Sequence, residues 1–499
     1  MANKMKDFLP AIEMEKMQAM LELEEKSGLS SFDLINLVGK KLATYLLPYL
    51  DVKSNILVLA GSGNNGADCF ALINNLKQFH IKLILVNGLP NNPDAMKVYK
   101  QVPPSIIQPM TALDTCLKEC DVIIDGIFGF GYHGKLSEDM RVLFKQIQNA
   151  NKPIYSIDIN SGAECDSAMH DSFALHSTVT FAIDCYKPFH LLQKYHHLFE
   201  KLELVPLDIP HPKQSSFLEM NQTLFFQNLA KRKETAHKGS SGKILLVGGS
   251  YGMAGAISLN ITGAKALGFP YIEVGCIDGI YPIVATKHTT PVFHPFSRDN
   301  VEQQLATTIE HVNAAAFGSG VTQMYEKELC LDLMIQNCHA PLILDAEAIR
   351  MLRYNTWKLR FAKSPIILTP HIGEFADLFH LEKEEVMRNP LHYALKCAKE
   401  LKVYIVLKSA HTIIATPNGQ CYINQTGNEG LAQAGSGDLL TGMLTALLAY
   451  HCDIFTSLRM GVWLHGYIAD RLVEHHSKMH MNLEDYPKAV DQFFYENGY

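Results

Sequence analysis

The 499-residue chain carries 44 Lys and Arg against 51 Asp and Glu, a formal net charge of -7, and 47% of it is hydrophobic. That length exceeds what one hydrophobic core usually supports, so two domains are expected. The acidic balance, without a dense Lys/Arg stripe, excludes a nucleic-acid surface and points to a small solute as partner.

The eleven cysteines form no CxxC pair, and Cys116/Cys120 is the one close spacing, so neither a zinc site nor a disulfide framework is indicated. Reduced, cytoplasmic thiols are expected. Lys4, Lys6, Asp7 and Glu13 stand where a secretory apolar region would lie, and no apolar run approaches the ~18 residues that span a bilayer. A soluble cytoplasmic protein without a membrane partner is the expectation.

Residues 8 to 47 read as helices, with Met14, Met17, Met20 and Leu21 and then Leu34, Leu37 and Val38 at helical spacing. Five short apolar runs then recur at α/β spacing, at 56–59, 83–86, 122–125, 154–157 and 179–182. Intervening helical stretches favour a parallel sheet covered on both faces. The series breaks at Pro206, Pro210 and Pro212 with Ser215-Ser216. Six further runs follow at 244–247, 271–274, 314–317, 342–345, 366–368 and 404–407. Two tandem three-layer α/β domains are therefore expected, over residues 1–210 and 211–499.

In the first domain Gly61-Ser62-Gly63-Asn64-Asn65-Gly66 fits GxGxxG between a strand and a helix, a Rossmann-like feature. The acidic residue expected at the end of the next strand is replaced by Asn87-Gly88, which argues against ordinary dinucleotide binding. Paired amides followed by Asp68 suit a polar ligand and an ion instead. Asp125-Gly126-Ile127-Phe128-Gly129-Phe130-Gly131 and Asp158-Ile159-Asn160-Ser161-Gly162 also leave strand ends. His190, His196 and His197, beside Lys187 and Lys194, read as an exposed helix.

In the second domain, Gly248-Gly249-Ser250, Gly318-Ser319-Gly320, Asp345, Thr369 to Glu374 and Lys408 to Thr412 stand beyond strand ends, where open α/β sheets place ligands. Gly435-Ser436-Gly437-Asp438 opens a helix with Leu440, Met443/Leu444 and Leu447/Leu448 on its buried face. Small residues from 434 to 437 let backbone N–H groups approach a phosphate at a helix N-terminus. A carboxylate beside such a hole suits a base that takes a hydroxyl proton during phosphoryl transfer; the plainer reading of Asp438 is a helix cap. Trp463 and His465-Gly466 read as core, and His475-His476 and His480 as a solvated face.

The segment from Lys238-Gly239 to about Asp470 resembles the ribokinase-like superfamily, and within it the ADP- or ATP-dependent NAD(P)H-hydrate dehydratases, through the GGS turn, DAEA at 345–348, TPHIGE at 369–374, VLK at 406–408, GNEG at 427–430 and GSGD. The resemblance implies repair of nicotinamide rings damaged by hydration. Asp438 would take the C6 hydroxyl proton while the amides of 434 to 437 hold the phosphoryl group, so that phosphate leaves in place of hydroxide. It also implies hydrated nicotinamide near Ala256, Gly320, His371 and Asp438, and adenine nucleotide on Lys408, Ser409, Ala410, His411, Thr412 and Gly437. Glu374 would steer Mg2+ or else cap a helix. Relatives carry GPGLG and KGAGT where this chain has Gly318-Ser319-Gly320-Val321-Thr322 and Lys408-Ser409-Ala410-His411-Thr412.

Residues 10 to 208 resemble the NAD(P)H-hydrate epimerase domain through its Asn-Asn-Gly loop, its DxxFG-like segment and its strand-end Asp. The resemblance implies a K+ ion held by Asn65, Asp125 and Ser161. Substrate contacts would come from Asn64, Asn65, Gly66, Ala67, Asp68, Gly129, Phe130, Gly131, Tyr132, His133, Gly134 and Lys135, with Asp158 assisting epimerisation. Here relatives carry GGDG in place of Gly66-Ala67-Asp68-Cys69 and proline in place of Asn160. The implied protein is a bifunctional enzyme acting on NADHX and NADPHX, expected as a homo-oligomer. The alternative is a ribokinase-like small-molecule kinase with an N-terminal binding module.

Overall fold

A computed structural model describes residues 28–167, 169–192, 198–209, 220–231, 235, 242–450, 453–474 and 477–499. Met14, Met17, Met20, Leu21, Lys194, His196, His197, Pro210, Pro212, Ser215-Ser216, Lys238-Gly239 and His475-His476 lie outside the described residues. The chain divides into two compact units, Met1–Phe217 and Leu218–Tyr499.

The first unit is built on seven strands: β1 Asn55–Ala60, β2 His80–Leu85, β3 Ile107–Gln108, β4 Val122–Gly126, β5 Ile154–Ile157, β6 Ser177–Ile183 and β7 Phe199–Val205. Their order is β3-β2-β1-β4-β5-β6-β7, parallel throughout. β1 shows why an unbroken apolar run is needed at the centre. Ile56 and Val58 pack with Leu42 and Phe70 on one face, while Leu57 and Leu59 pack with Phe144 and Ile147 on the other. Each of the five apolar runs forms a strand. β7 is not evident from the sequence, because Glu200, Lys201 and Glu203 interrupt it; it is an edge strand, and charges there block pairing with another chain. The helix Ser31–Leu46 begins on a reciprocal cap between Ser30 and Asp33.

The second unit holds β8 Ile244–Val247, β9 Ile272–Ile277, β10 Val292–Phe296, β11 Ala314–Phe317, β12 Leu342–Leu344, β13 Ile366–Leu368, β14 Tyr404–Leu407, β15 Ile413–Ala415 and β16 Cys421–Ile423. The order is β10-β9-β8-β11-β12-β13-β14-β15-β16, parallel as far as β14 and antiparallel beyond it. β10 lies at the edge, where Pro295 removes one ladder donor without harm.

Strand order reverses between β1 and β4 in one sheet and between β8 and β11 in the other. A crevice opens beyond the strand ends at such a point. In the second unit the helices Ala254–Ala266 and Ser436–Ala449 pack closely on each other. A Cβ on Gly263 would collide with Leu439 O and one on Gly442 with Asn260 O, so this approach depends on glycine at both positions. Among the described residues no helix is long and apolar enough to cross a membrane, and the described cysteines are buried.

Candidate active sites

In the first unit the turn after β1 packs directly on the loop after β4. A side chain on Gly61 would strike Ile127 O, and one on Gly66 would strike Gly61 O. Asn65 then ties three loops together, its Nδ2 donating to Phe128 O at 2.6 Å and to Ile157 O at 3.1 Å. Its Oδ1 is buried without a hydrogen-bond partner, an acceptor aimed at something that carries positive charge or a proton. Asp125 is fully buried at the end of β4. It accepts from Ser161 Oγ at 2.5 Å, Ser161 N at 3.1 Å, Ser156 Oγ at 2.9 Å and Ile127 N at 3.2 Å. Burial pushes its carboxyl up, and those donors hold it back. Ser161 Oγ also accepts from Phe128 N at 2.9 Å, so Asn65, Asp125 and Ser161 converge on the backbone around Phe128.

Above this cluster lies a cavity of about 600 Å³ lined by Asn64, Asn65, Asp68, Gly129 to His133 and Asp158, among others. Gly66 and Ala67 stand behind it, buried in the helix Asn64–Asn74. Gly134 and Lys135 are exposed and do not line it. The substitution of Cys69 for a small residue fills space against Gly126, where a Cβ would meet its Sγ. Asn160, where proline was the expected type, is fully buried. Its Nδ2 donates to Leu175 O, Ser177 Oγ and Leu198 O at 2.8–3.0 Å.

One expectation is overturned here. Lys187 and His190 are not on an exposed helix; they are 1% and 5% exposed, and the short helix Pro188–Leu192 is buried along its length. Lys187 lines the cavity and forms an ion pair with Asp158, while its Nζ also donates to Ile183 O at 2.6 Å. Asp158 sits in the left-handed region at φ 63°, uncommon for a side chain with a Cβ. His190 Nδ1 accepts from Lys187 N at 3.0 Å, which leaves Nε2 to donate to Asp158 O at 2.7 Å. Burial and the Lys187 charge push this imidazole down to about 3, so it is neutral. Asp68 is pushed well up by burial and by Asp158, with Lys187 opposing.

In the second unit Asp438 occupies the first turn of the helix Ser436–Ala449, whose cap Gly435 has φ 93°. Asn260 fixes that turn, its Nδ2 donating to Asp438 O at 2.7 Å and to Ser319 Oγ at 3.2 Å. Burial, then Asp345 and Glu374, raise the Asp438 carboxyl to about 6, while Ser319 and Lys408 pull the other way. Lys408 is held elsewhere, in an ion pair with Asp345 at 2.8 Å. Asp345 also accepts from Thr369 Oγ1 at 2.7 Å and Thr441 Oγ1 at 3.0 Å. Against burial, Lys408 and these hydroxyls keep Asp345 below the usual carboxylate range. A Cβ on Gly437 would lie 3.1 Å from Lys408 Nζ, which places this ammonium at the helix start. Sequence reasoning missed Asp345, braced by Thr369 and Thr441, as the clamp on Lys408, because these residues come together only across the ends of β12, β13 and β14 and the helix Ser436–Ala449.

Ala256 and Gly320 are neighbours, since a Cβ on Gly320 would lie 2.8 Å from that of Ala256. The turn 408–412 is braced by Ser409 Oγ donating to His411 O at 2.8 Å and Thr412 Oγ1 donating to Ser409 O at 3.1 Å. Lys408, Ser409 and Ala410 are open to solvent in part, whereas His411 and Thr412 are buried. Asp470 anchors the GNEG segment by accepting from Gly427 N at 2.8 Å and Asn428 Nδ2 at 2.9 Å. His371 is the N-cap of the helix Ile372–Phe379, and Glu374 accepts from its backbone N–H at 3.0 Å while Glu374 N donates to His371 Nδ1. Of the two readings of Glu374, its contacts support the capping one: Oε2 is engaged in a reciprocal cap.

Residues 244–491 match the profile of the NAD(P)H-hydrate dehydratase family, and residues 31–189 that of the YjeF-related protein N-terminus. The chain is 30% identical over 443 residues to the bifunctional NAD(P)H-hydrate repair enzyme Nnr of Moorella thermoacetica, spanning 83% of this chain and 82% of that one. It is 33% identical over 250 residues to the ADP-dependent (S)-NAD(P)H-hydrate dehydratase of Bacillus subtilis, spanning 50% and 87%. Among solved structures, the B. subtilis ADP/ATP-dependent NAD(P)H-hydrate dehydratase co-crystallised with ATP/Mg2+ is similar at a TM-score of 0.50 and 30% identity, over 55% of this chain and 95% of that one.

Proposed function

The chain belongs to the bifunctional NAD(P)H-hydrate repair enzymes, and from that premise we propose how its residues divide the work. Its activities are epimerisation of hydrated nicotinamide dinucleotides and their nucleotide-dependent dehydration.

In the second unit Asp438 is the base. It takes the proton of the C6 hydroxyl as that oxygen accepts the terminal phosphoryl group of ADP or ATP; phosphate then departs as the ring nitrogen supplies its electron pair, and loss of the C5 proton restores the C5–C6 double bond. The amides at the start of the helix Ser436–Ala449 hold the transferring group. Lys408, oriented by Asp345, adds a positive charge at Gly437. Ala256, Gly320 and His371 contact the hydrated ring. The nucleotide lies along Lys408, Ser409 and Ala410, and His411 and Thr412 shape that turn from within. Mg2+ arrives with the nucleotide. The observation that carries this reading is a half-buried carboxyl raised to about 6 beside a helix N-terminus, a base poised for work near neutral pH.

In the first unit the cavity takes the hydrated nicotinamide, with Asp158 acting on it and with Asn64, Asn65, Asp68 and Gly129 to His133 around it. Asn65, Asp125 and Ser161 would hold K+. The unpartnered Asn65 Oδ1 and the buried Asp125 carboxylate fit a hard cation, whose charge would brace the three loops. A cytoplasmic location and a homo-oligomeric state complete the proposal.

The test is to supply the purified chain with hydrated NADH as mixed epimers, with ADP or ATP and Mg2+, and follow recovery of the reduced-nicotinamide absorbance. Complete recovery of both epimers is expected. Recovery of one epimer with a slow remainder would remove the epimerase role, and accumulation of a stable phosphorylated product would favour a kinase.

A further inference from the structure

Lys187 lines the first unit's cavity beside Asp158 and so far carries no role in epimerisation. Burying an ammonium is costly unless an opposite charge meets it, and Lys187 is 1% exposed. Its Nζ reaches two acceptors, Asp158 and Ile183 O. Asp158 is held from three sides, by Lys187, by Ile183 N donating to its Oδ1 at 3.2 Å, and by His190 donating to its carbonyl. A second carboxyl, Asp68, lines the same cavity but makes no ion pair with Lys187 among the described residues.

We propose that Lys187 is a positioning residue for epimerisation, pairing with Asp158 so that this carboxylate, rather than Asp68, is the group that accepts the substrate's proton. The inference rests on the epimerase reading and deepens it. The charged and titratable groups facing the pair are Asp68 from the helix after β1, His133 after β4, Cys165 after β5, Asp184 and Cys185 after β6, and His190. The neutral His190 supplies orientation and no charge, its ring being fixed between Lys187 N and Asp158 O. Burial pushes the Asp68 carboxyl well above the usual carboxylate range, with Asp158 adding to the effect and Lys187 opposing it. The cavity thus presents one carboxylate held in an ion pair and a second carboxyl without one among the described residues, a division that suits a site which must both remove and return a proton.

The experiment uses the full chain without nucleotide, so that the dehydratase is silent, and follows interconversion of the two hydrated-NADH epimers by chromatography across pH. Lys187→Met is expected to lower kcat by about 100-fold, to change KM less than threefold, and to move the acid limb of the rate profile to higher pH, because a carboxylate stripped of its cation takes up a proton more readily. Lys187→Arg is expected to keep the limb in place and restore at least a tenth of the rate. Asp68→Asn is expected to leave the acid limb where it is. A Lys187→Met profile of unchanged shape, merely scaled down, would overturn the proposal, as would loss of the acid limb in Asp68→Asn. If Lys187→Met does not fold, the Asp68→Asn and Lys187→Arg profiles still decide. Wild-type interconversion no faster than the spontaneous rate would overturn the epimerase reading and this inference with it. Interconversion with a normal wild-type profile but an unmoved limb in Lys187→Met would overturn this inference alone.

Discussion

Both units set an aspartate and a lysine at the ends of parallel strands, and they pair them differently. In the first, Lys187 lies on Asp158 itself. In the second, Lys408 lies on Asp345, and Asp438 is left to burial and to its acidic neighbours, which raise it to about 6. A lysine one partner removed leaves a carboxyl that exchanges its proton near neutrality; a lysine in contact makes a fixed pair. The distant lysine of the second unit suits a base that must be ionised on demand as a phosphoryl group arrives beside it, and the contacting lysine of the first suits a group whose orientation matters throughout turnover.

The largest effects fall on the two aspartates, and they separate the units. Asp438→Asn is expected to lower nucleotide-dependent dehydration by about 10³-fold while epimer interconversion without nucleotide is unchanged. Asp158→Ala is expected to do the reverse, leaving repair of one epimer at the wild-type rate and the other limited to spontaneous interconversion. Loss of both activities in either variant, with folding intact by circular dichroism, would break the comparison.

Next comes the residue that makes the pairings differ. With Asp438, raised to about 6, as the proposed ionised base, dehydration is expected to fall as pH drops through about 6 and to decline about tenfold per unit below it. Asp345→Asn removes a carboxylate that raises Asp438 and frees Lys408, which lowers it, so both changes move that limb to lower pH. The same change leaves a partly buried ammonium, 20% exposed, without its partner, at a cost of about 1–3 kcal/mol in the stability of the second unit by denaturant titration. A limb that moves upward would contradict the electrostatic assignment.

The central strands were legible because a strand buried on both faces needs an unbroken apolar run, as β1 and β8 have. The edges were not. β7 alternates with charges and β10 contains Pro295, features that protect an edge and disguise a strand. At the sites, glycine-rich turns and strand-end aspartates stood out, since short spacing carries their signal. Lys187 did not, because a lysine in Tyr186-Lys187-Pro188 looks solvated until Asp158, 29 positions earlier, is folded against it. The clamp on Lys408 was hidden likewise, with Asp345, Thr369 and Thr441 far apart in the chain.

A smaller effect is expected at Asn65, whose Oδ1 is the buried acceptor without a partner. Asn65→Leu removes that acceptor together with two loop-bridging hydrogen bonds. Epimer interconversion should fall about tenfold and lose its dependence on K+ concentration, and the dehydratase should be unaffected. A K+ dependence that survives in Asn65→Leu would place the ion elsewhere.

The smallest effect is expected at Glu374, and it separates a structural carboxylate from a catalytic one. Its position in TPHIGE, beyond the end of β13 and near Asp438, invites a metal-binding role, yet its Oε2 accepts from His371 N at 3.0 Å and the helix Ile372–Phe379 starts on that contact. Glutamine keeps the acceptor and loses the charge. Glu374→Gln should therefore cost about 1 kcal/mol or less in thermal stability and leave the Mg2+ concentration for half-maximal dehydration unchanged. It should also move the acid limb slightly to lower pH, because Glu374 is the weaker of the two carboxylates that raise Asp438. A tenfold rise in the Mg2+ requirement would restore the metal-steering role and would mean that the cap opens when nucleotide binds.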